Sequence, residues 1–218
     1  MAFDCFKKDY VKPTEQPPLE GDDSSTARKT GLLIGHSAKD KGASNSEWYV
    51  KAVKYDPTYD EYVKQYDIDG DRILEEYELN LRAAKISKLT YATRDEGRGR
   101  RGACEELAEA DCTEVISMHC NSYNSKARGF EVWYLDGVIE SKRFAQKFYD
   151  AFMEKFPETI GRGLKKGHKR SRAYGVLDAG RDYGIRKTIL AEYYFLDVRE
   201  DFISPEEIGA FLRKFGER

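Results

Sequence analysis

The chain has few histidines, no paired cysteines, few prolines and no long apolar run, and each shortage narrows what it can be. Three histidines occur in 218 residues, His36, His119 and His168. The four cysteines, Cys5, Cys104, Cys112 and Cys120, form no Cys-x-x-Cys pair, which argues against a four-thiolate zinc site. Cys112 and Cys120 flank an apolar strand candidate, so the set reads as reduced, buried thiols. No apolar run approaches the ~20 residues that cross a bilayer. Met1 to Lys12 lacks the apolar stretch of a secretory signal, so the expectation is a protein made in the cytoplasm that acts there or is carried out by another factor. A formal net charge of −2 gives no global field toward nucleic acid or a membrane surface, and neither is expected as a partner.

Of the six prolines, Pro13, Pro17 and Pro18 fall between Lys12 and Lys29, with Gly21 and a run of Asp and Ser. This is linker composition. Residues 1–29 are expected to be an extension and linker, and residues 30–218 one domain; no internal repeat is visible. The rest of the composition suits a packed core. Hydrophobic residues make up 40% and charged residues 35%, with 15 Tyr and 11 Phe, too many aromatics for a disordered chain.

Apolar runs of strand length alternate with helical patterns. Gly31 to Gly35 is short, apolar and bounded by glycine, as a buried strand is. Ile73 to Leu89 carries Leu74, Tyr77, Leu81 and Ala84 at helical spacing. Thr113 to Met118 predicts a second buried strand. Gly129 to Leu135 alternates Phe130, Val132 and Tyr134 with Glu131 and Trp133, the pattern of a half-exposed strand. Ser141 to Phe156 places Phe144, Phe148, Phe152 and Phe156 on one helix face. Lys187 to Tyr193 predicts another strand. A final helix has Ser204 as cap, Pro205 at its first position and Glu207 closing a capping box; its apolar face is Ile208, Phe211, Leu212 and Phe215. The fold class is α/β: a single three-layer domain, its sheet mostly parallel or mixed, with helices on both faces.

In such sheets, sites gather at the carboxyl ends of strands. The first strand runs into Gly35-His36-Ser37, the second ends Ser117-Met118-His119-Cys120-Asn121, and the strand near the C-terminus ends Leu190-Ala191-Glu192-Tyr193. One histidine at a strand end is usually a hydrogen-bonded structural residue. Two, with an acidic residue at a third strand end, point to a site. Catalytic zinc takes three protein ligands from imidazole and carboxylate and keeps one position open. A further carboxylate outside the ligand set can then move protons.

The motifs resemble a known family, the zinc-dependent N-acetylmuramoyl-L-alanine amidases. Gly35 to Ala43, ending Asp-Lys-Gly-Ala, resembles their first metal loop. Glu76-Tyr77-Glu78-Leu79-Asn80-Leu81 is similar to the start of the helix that supplies their glutamate ligand. Thr93-Arg94-Asp95, Ser117 to Asn121, Gly129-Phe130-Glu131-Val132, an Arg162-Gly163-Leu164-Lys165 turn and Leu190 to Leu196 follow in the family's order. The resemblance covers roughly Gly31 to the C-terminus. It implies that His36, Glu76 and His119 bind Zn2+ and that Glu192 is the catalytic acid–base residue. The implied reaction is hydrolysis of the amide joining N-acetylmuramic acid to L-alanine in peptidoglycan, as in cell-wall amidases and phage endolysins. Two departures stand out: Ser37-Ala38 replaces the usual glycines, and an insertion of about residues 47–75 brings in Glu47 as a competing ligand. Glu76 is preferred because the residues after it read as the family's helix.

Other readings compete. Asp67, Asp69, Asp71 and Glu78 fit an EF-hand calcium pattern, with Arg72 where the turn glycine belongs. Ca2+ in the insertion, or a non-catalytic wall-binding module on the same fold, is the alternative function. Gly161 to Arg172 and Gly97 to Gly102 are basic stretches that read as solvated loops, since nucleic-acid sites interleave aromatics. His168, in the first of these stretches, is a weak candidate for substrate contact.

Overall fold

The computed structural model describes residues 28–44, 63–67, 70, 73–95, 98–124, 126–168 and 175–218. The N-terminal extension, Glu47 and most of the insertion lie outside the described residues. Six strands form one sheet: β1 (Thr30–Ile34), β2 (Thr90–Ala92), β3 (Glu114–Asn121), β4 (Phe130–Leu135), β5 (Gly161–Gly167) and β6 (Lys187–Phe195). Their order is β2-β1-β3-β6-β4-β5. The first four in that order run parallel, β4 is antiparallel to β6, and β5 is parallel to β4. The expected mixed sheet is present.

Helices among the described residues cover it: α1 (Glu76–Ser87), α2 (Gly99–Glu109), α3 (Ile139–Lys155), α4 (Gly175–Asp182) and α5 (Pro205–Gly216). Strand alternation divides the core between the faces. Leu32, Ile34, Ile116 and Met118 pack with α1, α3 and α5 on one side. Leu33, Val115 and Leu190 pack with α2 and α4 on the other. On the first face the aromatic stripe of α3 is core, as its spacing predicts. Phe148 meets Phe215 at 5.0 Å between ring centroids, and Phe152 meets Phe211 at 5.3 Å. Full burial of one such ring stabilises by roughly 1.5–3 kcal/mol. Ser204 caps α5, its hydroxyl accepting from the Glu207 amide, in the expected capping box.

Four sequence expectations need correction. Gly161–Gly167 is not a loop but the edge strand β5, paired with β4 on one side only; the remainder of that basic stretch, 169–174, lies outside the described residues. The Arg162–Lys165 turn is a bulge inside it: the register shifts at Gly161/Gly163, and Gly163 has φ +79°. The Gly97–Gly102 stretch opens α2 at Gly99. Finally, β4 is an interior strand, and Glu131 on it is buried.

Candidate metal and catalytic site

The site lies where the parallel strands end. His36 follows β1, in a loop held to β3 by the Gly35 amide, which donates to the Met118 carbonyl at 3.1 Å. A tight turn then closes without glycine: the Ser37 and Asp40 amides donate to each other's carbonyls at 3.0 and 3.1 Å. The chain next meets the start of α1, where the Glu76 and Tyr77 amides donate to the Ala43 and Lys41 carbonyls at 2.9 and 3.0 Å. Two otherwise orphaned helix N–H groups are thereby satisfied.

Glu76 is buried and central. Its Oε2 accepts from the Ala43 amide at 2.8 Å, and its Oε1 accepts from the Cys120 amide at 3.1 Å. The His119 Nδ1 stands 2.8 Å from Oε1 and the His36 Nε2 stands 3.5 Å from Oε2. Donor atoms of His36, Glu76 and His119 all lie within 4.8 Å of one another. Two glycines make this closeness possible. A Cβ on Gly35 would sit 2.2 Å from the His119 Cε1, and one on Gly42, at φ +79°, would sit 2.3 Å from the Glu76 Oε2. Two imidazoles and one carboxylate, gathered around a shared centre, suit the donor set and the ~2 Å bonds of a zinc ion.

Glu192 pairs with His119 across β3–β6 and with Glu131 across β4–β6. It is half-buried, and its Oε2 has no hydrogen-bond partner among the described residues. Burial pushes its pKa up from 4.5 to about 8; His119 pulls it down, and the Glu76 and Glu131 charges add to the rise. Glu131 pairs with Arg162, whose Nε donates at 2.8 Å, and accepts from the Trp133 indole N–H at 3.0 Å. At His119, burial opposes protonation, but the Glu76 hydrogen bond and charge and the Glu192 charge prevail, so its pKa lies above the ordinary value.

The Thr93-Arg94-Asp95 segment fastens the loop. Arg94 donates to the Gly35 carbonyl. Asp95 accepts from the Ala38 amide at 2.9 Å and from the Tyr77 hydroxyl at 2.7 Å. Burial first, then the like charge of Arg100, lowers the Arg94 pKa.

The structure thus brings His36, Glu76, His119 and Glu192 together. Among the described residues, the only group of three or more His, Cys, Asp or Glu side chains placed to share an ion is His36, Glu76 and His119. The Glu78 carboxylate lies 3.4 Å from the Lys41 Nζ, and the Asp67 Oδ1 accepts from the Gly70 amide at 2.8 Å. Asp69 and Asp71 lie outside the described residues. His168 is exposed just beyond β5. Sequence reasoning missed Glu131, Arg162 and Arg100 as neighbours of the site.

The model of the Amidase_3 family, N-acetylmuramoyl-L-alanine amidase, matches residues 31–203. The chain belongs to this amidase family. Solved amidase structures share its fold. AmiC2 of Nostoc punctiforme is 19% identical with a TM-score of 0.57, over 88% of this chain and 98% of that one. The catalytic domain of the CD27L endolysin targeting Clostridia difficile is 17% identical with a TM-score of 0.59, over 85% of this chain and 94% of that one. The catalytic domain of CwlV, an N-acetylmuramoyl-L-alanine amidase from Bacillus (Paenibacillus) polymyxa, is 18% identical with a TM-score of 0.53, over 86% and 94%. At such identities the likeness establishes the fold of this amidase-family chain. Comparison with curated proteins finds no match.

Proposed function

We propose that this chain is a zinc-dependent amidase that hydrolyses the bond between N-acetylmuramic acid and L-alanine in peptidoglycan. His36, Glu76 and His119 would hold the metal, and Glu192 would transfer protons. The observation that carries the reading is the convergence of the three donors within 4.8 Å, beside a carboxylate with an unpartnered, sheltered oxygen.

Zinc, when bound, supplies Lewis-acid polarisation and a more acidic water. The chain's own groups do the rest. The Ala43 and Cys120 amides fix both oxygens of Glu76, so the ligand is oriented before the metal arrives. Glu192, whose Oε2 has no hydrogen-bond partner among the described residues, accepts the proton of the attacking water and returns it to the departing L-alanine amine. The Glu131–Arg162 pair keeps a second carboxylate occupied beside it. The same reading puts the site of action at the cell wall.

The test is release of new L-alanine amino termini from purified peptidoglycan by the zinc-loaded protein. Products that instead carry new reducing sugar ends would make the enzyme a glycosidase and overturn the proposal.

A further inference from the structure

A cavity of about 250 Å³ opens beside the donor cluster. Arg94 and Arg100 line it, together with His36, His119, Ser117 and, at its exposed side, the Asp40 carboxylate. Arg94 comes from the segment after β2 and Arg100 from the first turn of α2. The Arg100 guanidinium lies against the first residue of α4: a Cβ on Gly175 would be 3.0 Å from its Cζ.

Two guanidiniums facing one cavity repel each other, and the arrangement becomes favourable when an anion enters between them. Asp40 and Glu76 offset part of the Arg94 charge. A second observation also points to an anion. Ser117 is fully buried in the cavity wall, and its hydroxyl has no hydrogen-bond partner among the described residues; neither has the Arg94 Nε. Burying polar groups without a partner is costly, and a bound acceptor removes that cost.

We propose that this cavity is a carboxylate subsite, in which Arg94, Arg100 and Ser117 receive the free α-carboxylate of the γ-linked D-glutamate that follows L-alanine in the stem peptide. The inference rests on the amidase reading. Successive residues of a peptide lie ~3.8 Å apart, so this carboxylate falls on the order of 7 Å from the scissile carbonyl. On the other side of that bond the sugar carries only neutral hydroxyl and acetamido groups near the site. The carboxylate is therefore the nearest anion the substrate offers to a cavity bordered by His36 and His119. Charge-assisted hydrogen bonds are roughly twice as strong as neutral ones, so peptides with the α-amide, isoglutamine, bind less well here.

The test compares two synthetic muramoyl dipeptides, one ending in D-isoglutamate and one in D-isoglutamine, as substrates of the zinc-loaded protein. The same acid and amide forms of the free dipeptide are titrated by calorimetry. We expect the wild type to favour the acid by at least tenfold in kcat/KM, mostly through KM, and to bind the acid dipeptide more tightly. Arg100→Gln should bring both ratios close to one, and Arg100→Lys should restore part of them. A wild-type ratio near one, or a ratio that Arg100→Gln leaves intact, overturns the subsite. If the wild type cleaves neither compound but binds the acid dipeptide in an Arg100-dependent way, the subsite stands and the amidase reading falls. If it cleaves both equally, the amidase reading stands and the subsite falls.

Discussion

His119 and Glu192 are register partners at the ends of β3 and β6. The pairing sets a metal-ligand candidate and a proton-transfer candidate side by side on a rigid sheet. Neither depends on a loop for its position, whereas His36 depends on the turn after β1 and on the Arg94 and Asp95 contacts that fasten it.

Purified protein is expected to contain about one zinc per chain, as a three-ligand site requires. His36→Ala, His119→Ala and Glu76→Ala should each lose it, while Glu47→Ala should keep it. Metal analysis of dialysed samples checks this. Full metallation of His119→Ala would remove that residue from the ligand set, and loss of zinc in Glu47→Ala would move the carboxylate ligand into the insertion.

Gly35→Ala should damage the site without touching any donor. The added Cβ would stand 2.2 Å from the His119 ring, so the imidazole must move or the loop must shift. Overpacking of this kind costs about 1–3 kcal/mol. Thermal unfolding and zinc titration together should show a lower Tm and weaker zinc binding. Wild-type zinc affinity in Gly35→Ala would mean that the loop has slack the structure does not show.

In metal-free protein, Glu192 should make stability depend on pH in a known direction. Its pKa is raised from 4.5 in the unfolded chain to about 8 in the folded one. Between those values the folded state keeps a proton that the unfolded state has lost, so its contribution is complete below pH 4.5 and disappears as pH rises through 8. Glu192→Gln cannot titrate. The variant's Tm relative to wild type should therefore climb by several degrees from pH 4 to pH 9, measured in chelator. A difference that stays flat, or that falls with pH, would contradict the burial of this carboxylate.

The three described cysteines should be unreactive in the folded protein. Burial pushes the Cys104 thiol up to about 12 and raises Cys112 and Cys120 as well. Only the thiolate reacts readily. In a Cys5→Ser variant at pH 8, a thiol reagent should label nothing quickly in native buffer and three groups in denaturant. Fast native labelling would place at least one of these side chains at the surface.

Much of this architecture is legible in the chain because local pattern and tertiary role agree. Gly31 to Ile34 in β1 is apolar since both faces of that strand are covered, and Ser204 and Glu207 announce α5 by their capping box, with Pro205 at its first position. Glu131 is different. Alternation along β4 suggests an outward-facing side chain, yet the strand is interior, and the charge is satisfied by Arg162, 31 positions away. β5 carries almost no apolar signal because an edge strand with a glycine bulge needs little. Helix α2 begins in a glycine- and arginine-rich stretch that looks like a loop. Its Ala103, Cys104 and Leu107, spaced to pack on one face, were the available cue.

The most direct test of the proposed chemistry is Glu192→Gln. The amide keeps the shape of the carboxylate but cannot take a proton from water, and general acid–base catalysis is typically worth 10²–10⁴-fold. Release of L-alanine amino termini from peptidoglycan and zinc content are measured on the same zinc-saturated sample. The expected result is full zinc, an unchanged fold and a rate lowered by about 10²–10⁴-fold. A variant that holds its zinc and cleaves at the wild-type rate would contradict the role of Glu192, and one that loses zinc would make Glu192 a ligand instead.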